Sequence, residues 1–313
     1  MNRLPFAVPG RFWRGNLHTH TTRSDGHLEP ADTVAWYRDN GYDFVAITDH
    51  YVRRFAPSVT DTRALRGDGF TTLLGAELHA PRTAVGNLWH IVAAGLPVDF
   101  EPVAPGETGP QLAARAAASG AFVVVAHPAY YGLTVADIES MPAAHAMEVF
   151  NGASELAYEM GHSGHILDVM LARGRRIDAV AADDAHFAPE FPEFPDHGLG
   201  WVEVRAEEND PDALVAALRA GHFYASEGPK LLNVAIDADE VLVESSPVQK
   251  VVVSGGAERY ECRYGRDLIH VRVPLTMFRN GGHEVDPLLG THIRITVVDA
   301  AGKRAWTNPI WLA

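Results

Sequence analysis

Through its first two-thirds the chain alternates short apolar runs with longer amphipathic stretches. Residues 44–50 (FVAITDH), 70–79 (FTTLLGAELH), 88–95 (LWHIVAAG), 121–128 (AFVVVAHP), 146–152 (AMEVFNG) and 177–186 (IDAVAADDAH) read as buried strands. They are short, continuously apolar and rich in Val, Ile and Ala. Helical patterns lie between some of them: 30–41 opens on Pro30 and stops at Gly41, and 110–120 and 154–174 also end on glycine. Strands of this kind separated by helices predict a mainly parallel α/β sheet or barrel. A further strand at 201–206 and a helix at 210–223 follow. Near Gly228 the pattern changes to alternating strands with Gly, Pro and Asn turns and no long helix, which predicts a small antiparallel β-sandwich. The expected division is residues 1–227 and 228–313.

Each of those six strands except 146–152 ends in, or just after, a His, Asp or Glu; 146–152 ends in Asn151. In a βα-barrel the C-terminal strand ends converge on one face, so residues distant in sequence meet there. With the motif NLHTHTTRSDG (16–26), the set is His18, His20, Asp25, His50, Glu77, His90, His127, Asp184 and His186. Imidazole nitrogen mixed with hard oxygen and no thiolate suits Zn, Mn or Fe. His18 and His20 are two apart, as are Asp184 and His186, so each pair shares one face of an extended strand. A lone pair of this kind carries little weight; nine candidates at strand ends carry much more.

Composition narrows the class. The chain has 313 residues, 47% hydrophobic and 21% charged, as in a globular protein able to bury a large core. A net charge of −14 argues against a nucleic acid polymer or an anionic membrane surface as partner. One cysteine, Cys262, excludes an intramolecular disulfide and fits a reducing cytoplasm; it reads as a small buried apolar residue. No apolar run is long enough to span a bilayer, and the first fifteen residues lack a signal-peptide pattern. No Gly-rich nucleotide fingerprint is present.

The successive motifs HTHTTRSDG, ITDH, Glu77, His90, AHP and DDAH resemble those of the PHP (polymerase and histidinol phosphatase) superfamily over roughly residues 13–227. GHFYASEGP (221–229) and the tail ending WTNPIWL resemble a subgroup that includes carbaryl-hydrolase-type proteins. The resemblance implies a distorted (β/α)7 barrel with a two- or three-metal centre. It implies a first metal on His18, His20, Glu77 and Asp184, and a second on Glu77, His90 and His127. A third would sit on Asp25, His50 and His186. Asp183 stays as an alternative to Asp184, which keeps the D-x-H spacing. Three divalent ions against three carboxylates leave a positive surplus suited to a phosphate ester dianion. The expected reaction is hydrolysis of a small phosphorylated metabolite or nucleotide by a metal-bridging hydroxide, with Glu77, Asp184 and His186 as catalytic residues. A carbamate, ester or amide hydrolase is the alternative, and a degenerate domain used as a scaffold is the reading from another class. The sequence leaves the oligomeric state open.

Several residues carry two readings. Arg23 either grips a phosphate or faces solvent, and so does Arg53 or its neighbour Arg54. His79 and Asn151 are candidate substrate contacts. His162 and His165 have helix-face spacing and read as an exposed helix rather than a metal pair. His197 lies in the long Pro-rich loop 187–200, which is either a spacer or a lid. His222, His270, His283 and His292 read as structural or exposed.

Overall fold

The computed structural model describes residues 4–67, 69–189, 193–237, 239–256, 259–279 and 292–312. His283 lies outside them. The first half of the sheet comprises β1 (Arg11–Asn16), β2 (Phe44–Ile47), β3 (His50–Tyr51), β4 (Thr71–Ala80), β5 (Trp89–Ala94), β6 (Phe122–Val125), β7 (Ala146–Asn151) and β8 (Asp178–Ala182). The second half comprises β9 (Trp201–Ala206), β10 (Phe223–Ser226), β11 (Leu231–Ile236), β12 (Glu240–Ser254), β13 (Tyr260–Pro274), β14 (His292–Val298), β15 (Arg304–Thr307) and β16 (Ile310–Trp311). Helices α1 (Pro30–Asp39), α2 (Gly109–Ala118), α3 (Val135–Glu139), α4 (Gly152–Tyr158), α5 (Gly164–Ala172) and α6 (Pro211–Ala220) pack around it. Helix starts follow local chemistry. Thr108 and Gln111 close a capping box on α2, Thr134 and Asp137 do so on α3, and the Asp210 carboxylate caps α6.

The protein is α/β, but the sheet is mixed rather than mainly parallel. β1–β2, β2–β4, β6–β7 and β7–β8 pair parallel, while β4–β5, β5–β6 and β1–β9 pair antiparallel. The cause is local: only residues 81–88, with no helix, separate β4 from β5, too few for a crossover. The sheet path runs β11-β12-β14-β15-β10-β9-β1-β2-β4-β5-β6-β7-β8, so it continues past residue 228 through the β10–β15 pair. Asn308 ties the far end back. Its Oδ1 accepts the Ala179 N–H at 3.0 Å, and its Nδ2 donates to the Gly221 and Phe223 carbonyls.

The helix expected over 154–174 is two helices. α4 stops at Glu159, whose φ of 55° is left-handed, and His162 then forms an isolated bridge with Phe150 before α5 begins. Gly161 allows this: a Cβ there would lie 2.4 Å from the Asn151 carbonyl oxygen. His162 is therefore off the helix, with its ring against Phe150 and Trp306, while His165 is exposed on α5.

Alternate residues of each central strand enter two different cores, which explains the continuously apolar runs. Ile91, Ala93, Val123, Val125, Ala179 and Ala181 pack in one cluster, together with Leu112 and Ala116 of α2. Ala46, Leu73, Val92, Ala146 and Ala182 pack in the other. The period-2 rows of that second face continue at one end of the sheet into His50, Glu77, His90, Glu148 and Asp184. The polar ring thus caps an apolar core.

Candidate metal centre

The nine strand-end residues converge. His20, Asp25, His50 and His186 place donor atoms within 4.8 Å of one another; so do His50, Glu77, His79 and His90, then His18, His127 and Asp184, and finally His18, His20 and Glu77. Asp184 Oδ1 lies 3.0 Å from His20 Nε2 and 3.2 Å from His18 Nε2. Glu77 Oε1 lies 2.7 Å from His90 Nδ1, 3.0 Å from His127 Nε2 and 3.6 Å from His18 Nε2. Asp25 takes the outer position, 3.2 Å from His50 Nε2 and 3.6 Å from His186 Nε2. His79 joins the cluster at 2.9 Å from His50 Nδ1.

The donor set fits a cation. His18 Nε2 and His20 Nε2 face each other at 3.3 Å, an arrangement of two acceptors unless one carries a proton or both face a positive ion. Glu77 is fully buried, and its Oε2 accepts no hydrogen bond of normal geometry although His50 Nδ1 lies against it. Burial works against ionisation of Glu77, yet the charges of His90 and His50 and the hydrogen bonds of His127 and His18 hold it well below the carboxylate range. Asp184 is likewise held low, against its burial, by His18, His20 and His186. Burial opposes charge on His50 as well, but Glu77 and Asp25 raise it to about 10. His79, more deeply buried and flanked by His90 and His50, falls to about 3 despite Glu77. The cluster stores negative charge on its carboxylates and shares protons among its imidazoles, as expected where a divalent ion displaces protons.

Asp183 and Asp184 part company. Asp183 points away from the cluster and accepts from the Tyr37 hydroxyl at 2.7 Å and from the backbone N–H groups of Gly198, Leu199 and Gly200 at 2.7 to 2.9 Å. It anchors the loop that precedes β9. Asp184 reaches the cluster because its φ of 56° turns the chain, and its N–H is held by the His18 carbonyl at 2.9 Å. His127 is also left-handed, at φ 29°. Two non-glycine residues in this region cost roughly 1–3 kcal/mol each, and such strain concentrates at functional sites.

Sequence reasoning missed the supports. Glu148 is buried in β7: its Oε1 lies 2.7 Å from His18 Nδ1, and its Oε2 accepts the His127 N–H at 2.7 Å and the Asn151 side-chain amide at 2.8 Å. Asn151, three residues on, would face the opposite side of a regular strand. The register shift between Glu148 and Phe150 brings it round, and it also donates to Asp184 at 3.2 Å. Asp49 holds the loop carrying Asp25 by accepting from Thr21, Ser24 and Thr60. Asp196 accepts the N–H groups of His186 and Phe187.

A cavity of about 1010 Å³ opens over the cluster. Asp25, His50, Glu77, His79, His90, His127, Asp184 and His186 face it, and Arg54 is the one Lys or Arg among the described residues that line it. Arg23 and Arg53 are exposed and do not line it, and Asn151 lies beneath it. In the loop 187–200, residues 190–192 lie outside the described set; Phe194 lines the cavity, and His197 packs on Trp36 and Phe187.

No family model matches the chain, and no curated protein matches it. Solved structures do. A two-domain protein containing an assigned PHP-like metal-dependent phosphoesterase from Bacteroides vulgatus is 15% identical, with a TM-score of 0.53 over 97% of this chain and 98% of that one. A protein assigned as a metal-dependent phosphoesterase from Bifidobacterium adolescentis is 15% identical, covering 55% of this chain and 87% of that one, with a TM-score of 0.40. An amidohydrolase from Chromobacterium violaceum is 16% identical, covering 58% and 90%, with a TM-score of 0.43. The fold of this chain is PHP-like, in the two-domain arrangement of the Bacteroides protein.

Proposed function

We propose that this protein is a metal-dependent hydrolase of the PHP superfamily and that it cleaves phosphoric esters. The observation that carries the reading is the convergence of nine histidine and carboxylate residues in one cluster, seven of which line the floor of one cavity, with His18 and His20 buried behind it. His18, His20, Glu77 and Asp184 would hold a first ion, Glu77, His90 and His127 a second, and Asp25, His50 and His186 a third. Divalent ions bound there supply Lewis acidity, which activates water and neutralises charge on phosphoryl oxygens. The chain's own residues do the rest. Glu148 holds His18 Nδ1 and so leaves Nε2 directed at the floor. Asp184 Oδ1, aimed into the cluster, is the candidate acceptor for a proton from the attacking water. Arg54, on the rim, draws an anionic group towards Asp25 and the outer histidines. Tyr131, 4.2 Å from the His90 ring and 4.9 Å from the His127 ring, shields that side from water.

Carbamate, ester or amide hydrolysis is the second reading; the apolar upper wall, on which Arg54 is the one Lys or Arg among the described residues, suits an uncharged group beside the reacting carbonyl. The test is a panel of phosphomonoesters, phosphodiesters and carbamates. Metal-stripped protein is reloaded with Mn, Zn or Fe, with a His18→Ala/Asp184→Ala control. Phosphate release that vanishes in the control supports the first reading. Carbamate turnover without phosphate release moves the protein to the second.

A further inference from the structure

A histidine ligand gives an ion the ring nitrogen that carries no hydrogen, and the other nitrogen needs an acceptor that fixes the ring. His18 turns Nε2 into the cluster and has Nδ1 2.7 Å from Glu148 Oε1. His186 turns Nε2 towards Asp25 and has Nδ1 2.8 Å from the Asp184 carbonyl. His50 follows the same pattern, with Nε2 3.2 Å from Asp25 Oδ2. Its one hydrogen then sits on Nδ1, which lies against Glu77 Oε2 and 2.9 Å from His79 Nε2. Glu77 Oε2 accepts no hydrogen bond of normal geometry, and a Glu77 carboxylate that bridges two ions has no oxygen to spare. The His50 N–H is left to His79. A lone pair on His79 Nε2 that accepts this hydrogen is not free for an ion.

The sheet builds this contact. His50 lies opposite Glu77 in the β3–β4 pair, and His79, two residues beyond Glu77, is on the same face of β4. His79 in turn lies opposite His90 across β4–β5, and the two rings meet edge-on at 4.2 Å with planes 87° apart. His79 is 7% exposed, so its ring is held from both sides. Resting on the metal-dependent hydrolase reading, we propose that His79 is a positioning residue for the third ion. Through Nε2 it accepts the His50 Nδ1 hydrogen and keeps His50 Nε2 directed at Asp25 and His186. It differs from Glu148 in charge: a carboxylate acceptor strengthens its imidazole as a ligand, and a neutral imidazole does so less. The Asp25 and His186 side chains are also 36% and 28% exposed, against none for His18. The third ion is therefore the most weakly held of the three, and His79 sets how weakly.

The test reads metal binding and ring state rather than turnover. Metal-stripped full chain is titrated with Zn²⁺ against a competing chelator, and nitrogen-labelled histidine spectra of the Zn²⁺-loaded protein are recorded beside it. The wild type should take up three ions, the last the weakest. His79→Ala should weaken that last ion alone, by about 10–100-fold. His79→Gln, whose side-chain carbonyl accepts in place of Nε2, should restore it. The spectra should show His50 bound through Nε2 with its hydrogen on Nδ1, and His79 with its hydrogen on Nδ1 and Nε2 free of metal. The wild-type spectrum needs no variant, so a loss of stability in His79→Ala does not blunt the test. A metal-bound His79 Nε2, an unchanged third affinity in His79→Ala, or no rescue by His79→Gln overturns the proposal and leaves the hydrolase reading standing. A wild type that takes up no ion overturns both.

Discussion

Glu148 and Asp183 show how two buried carboxylates near one cluster do different work. Glu148 has His18 Nδ1 on one oxygen and two N–H donors on the other, so Glu148→Gln leaves the ring free to turn. Metal affinity of the folded variant should fall about 10–100-fold by competitive chelation, beside a loss of stability read by thermal denaturation, because the buried N–H donors lose a charged acceptor. Unchanged affinity would remove Glu148 from the account. Asp183→Asn and Asp184→Asn should split these two effects. Asp183→Asn loses the charged acceptor for four donors and should cost roughly 3 kcal/mol of stability, measured in urea. Asp184→Asn should keep stability and lose metal uptake. The sequence made the donors legible in two ways: His50, Glu77, His127, Asp184 and His186 lie at or just past the ends of apolar runs and His90 at the start of one, while His18, His20 and Asp25 share the HTHTTRSDG motif. It did not show Glu148, which sits inside MEVFN and reads there as one more strand position. Only the register shift after it explains why Glu148 and Asn151 meet.

At the scale of elements, strand positions were readable and partners were not. The runs at 70–79, 88–95, 146–152 and 201–206 match β4, β5, β7 and β9 closely, because burial on both faces writes a continuous apolar run. β1 was missed, since Arg11, Arg14 and Gly15 interrupt its pattern. The break between α4 and α5 was hidden because it rests on a close approach to Gly161 rather than on a proline. β10 and β15 are pinned by Glu227: its Oε2 accepts the Arg304 N–H at 3.0 Å, and its N–H donates to the Arg304 carbonyl. Burial pushes the Glu227 carboxyl up to about 7, against its Arg304 hydrogen bond and the charges of Lys303 and Arg304. The unfolded carboxyl ionises near 4.5, so the buried neutral carboxyl contributes fully below that pH, and the cost of ionising it in place removes that contribution as pH rises through about 7. Glu227→Gln removes the loss. The melting temperature of the variant minus that of the wild type should therefore rise between pH 4.5 and 8, and a flat difference would refute the assignment.

Over the whole molecule, the change of pattern near Gly228 is real in sequence, but the sheet runs across it. Trp306 packs in the core beneath α2 and α5, Asn308 holds β8 to β10, and Arg294 on β14 pairs with Asp168 on α5 at 2.6 Å. A chain cut after residue 227 would expose β10 as an open edge and leave a hole at Trp306. It should aggregate rather than give a cooperative melt, and a well-folded fragment would contradict the continuity described here. Among the described residues no helix is long and apolar enough to cross a membrane. The architecture thus presents one polar floor at one end of a continuous sheet, and everything proposed for the protein depends on that floor taking up metal. The decisive measurement is a titration of metal-stripped protein with Mn²⁺, following phosphate release from an aryl phosphate. The account predicts no release without metal and a rise to a plateau after more than one ion per chain. A chain that takes up no ion, or releases phosphate equally well without one, contradicts it.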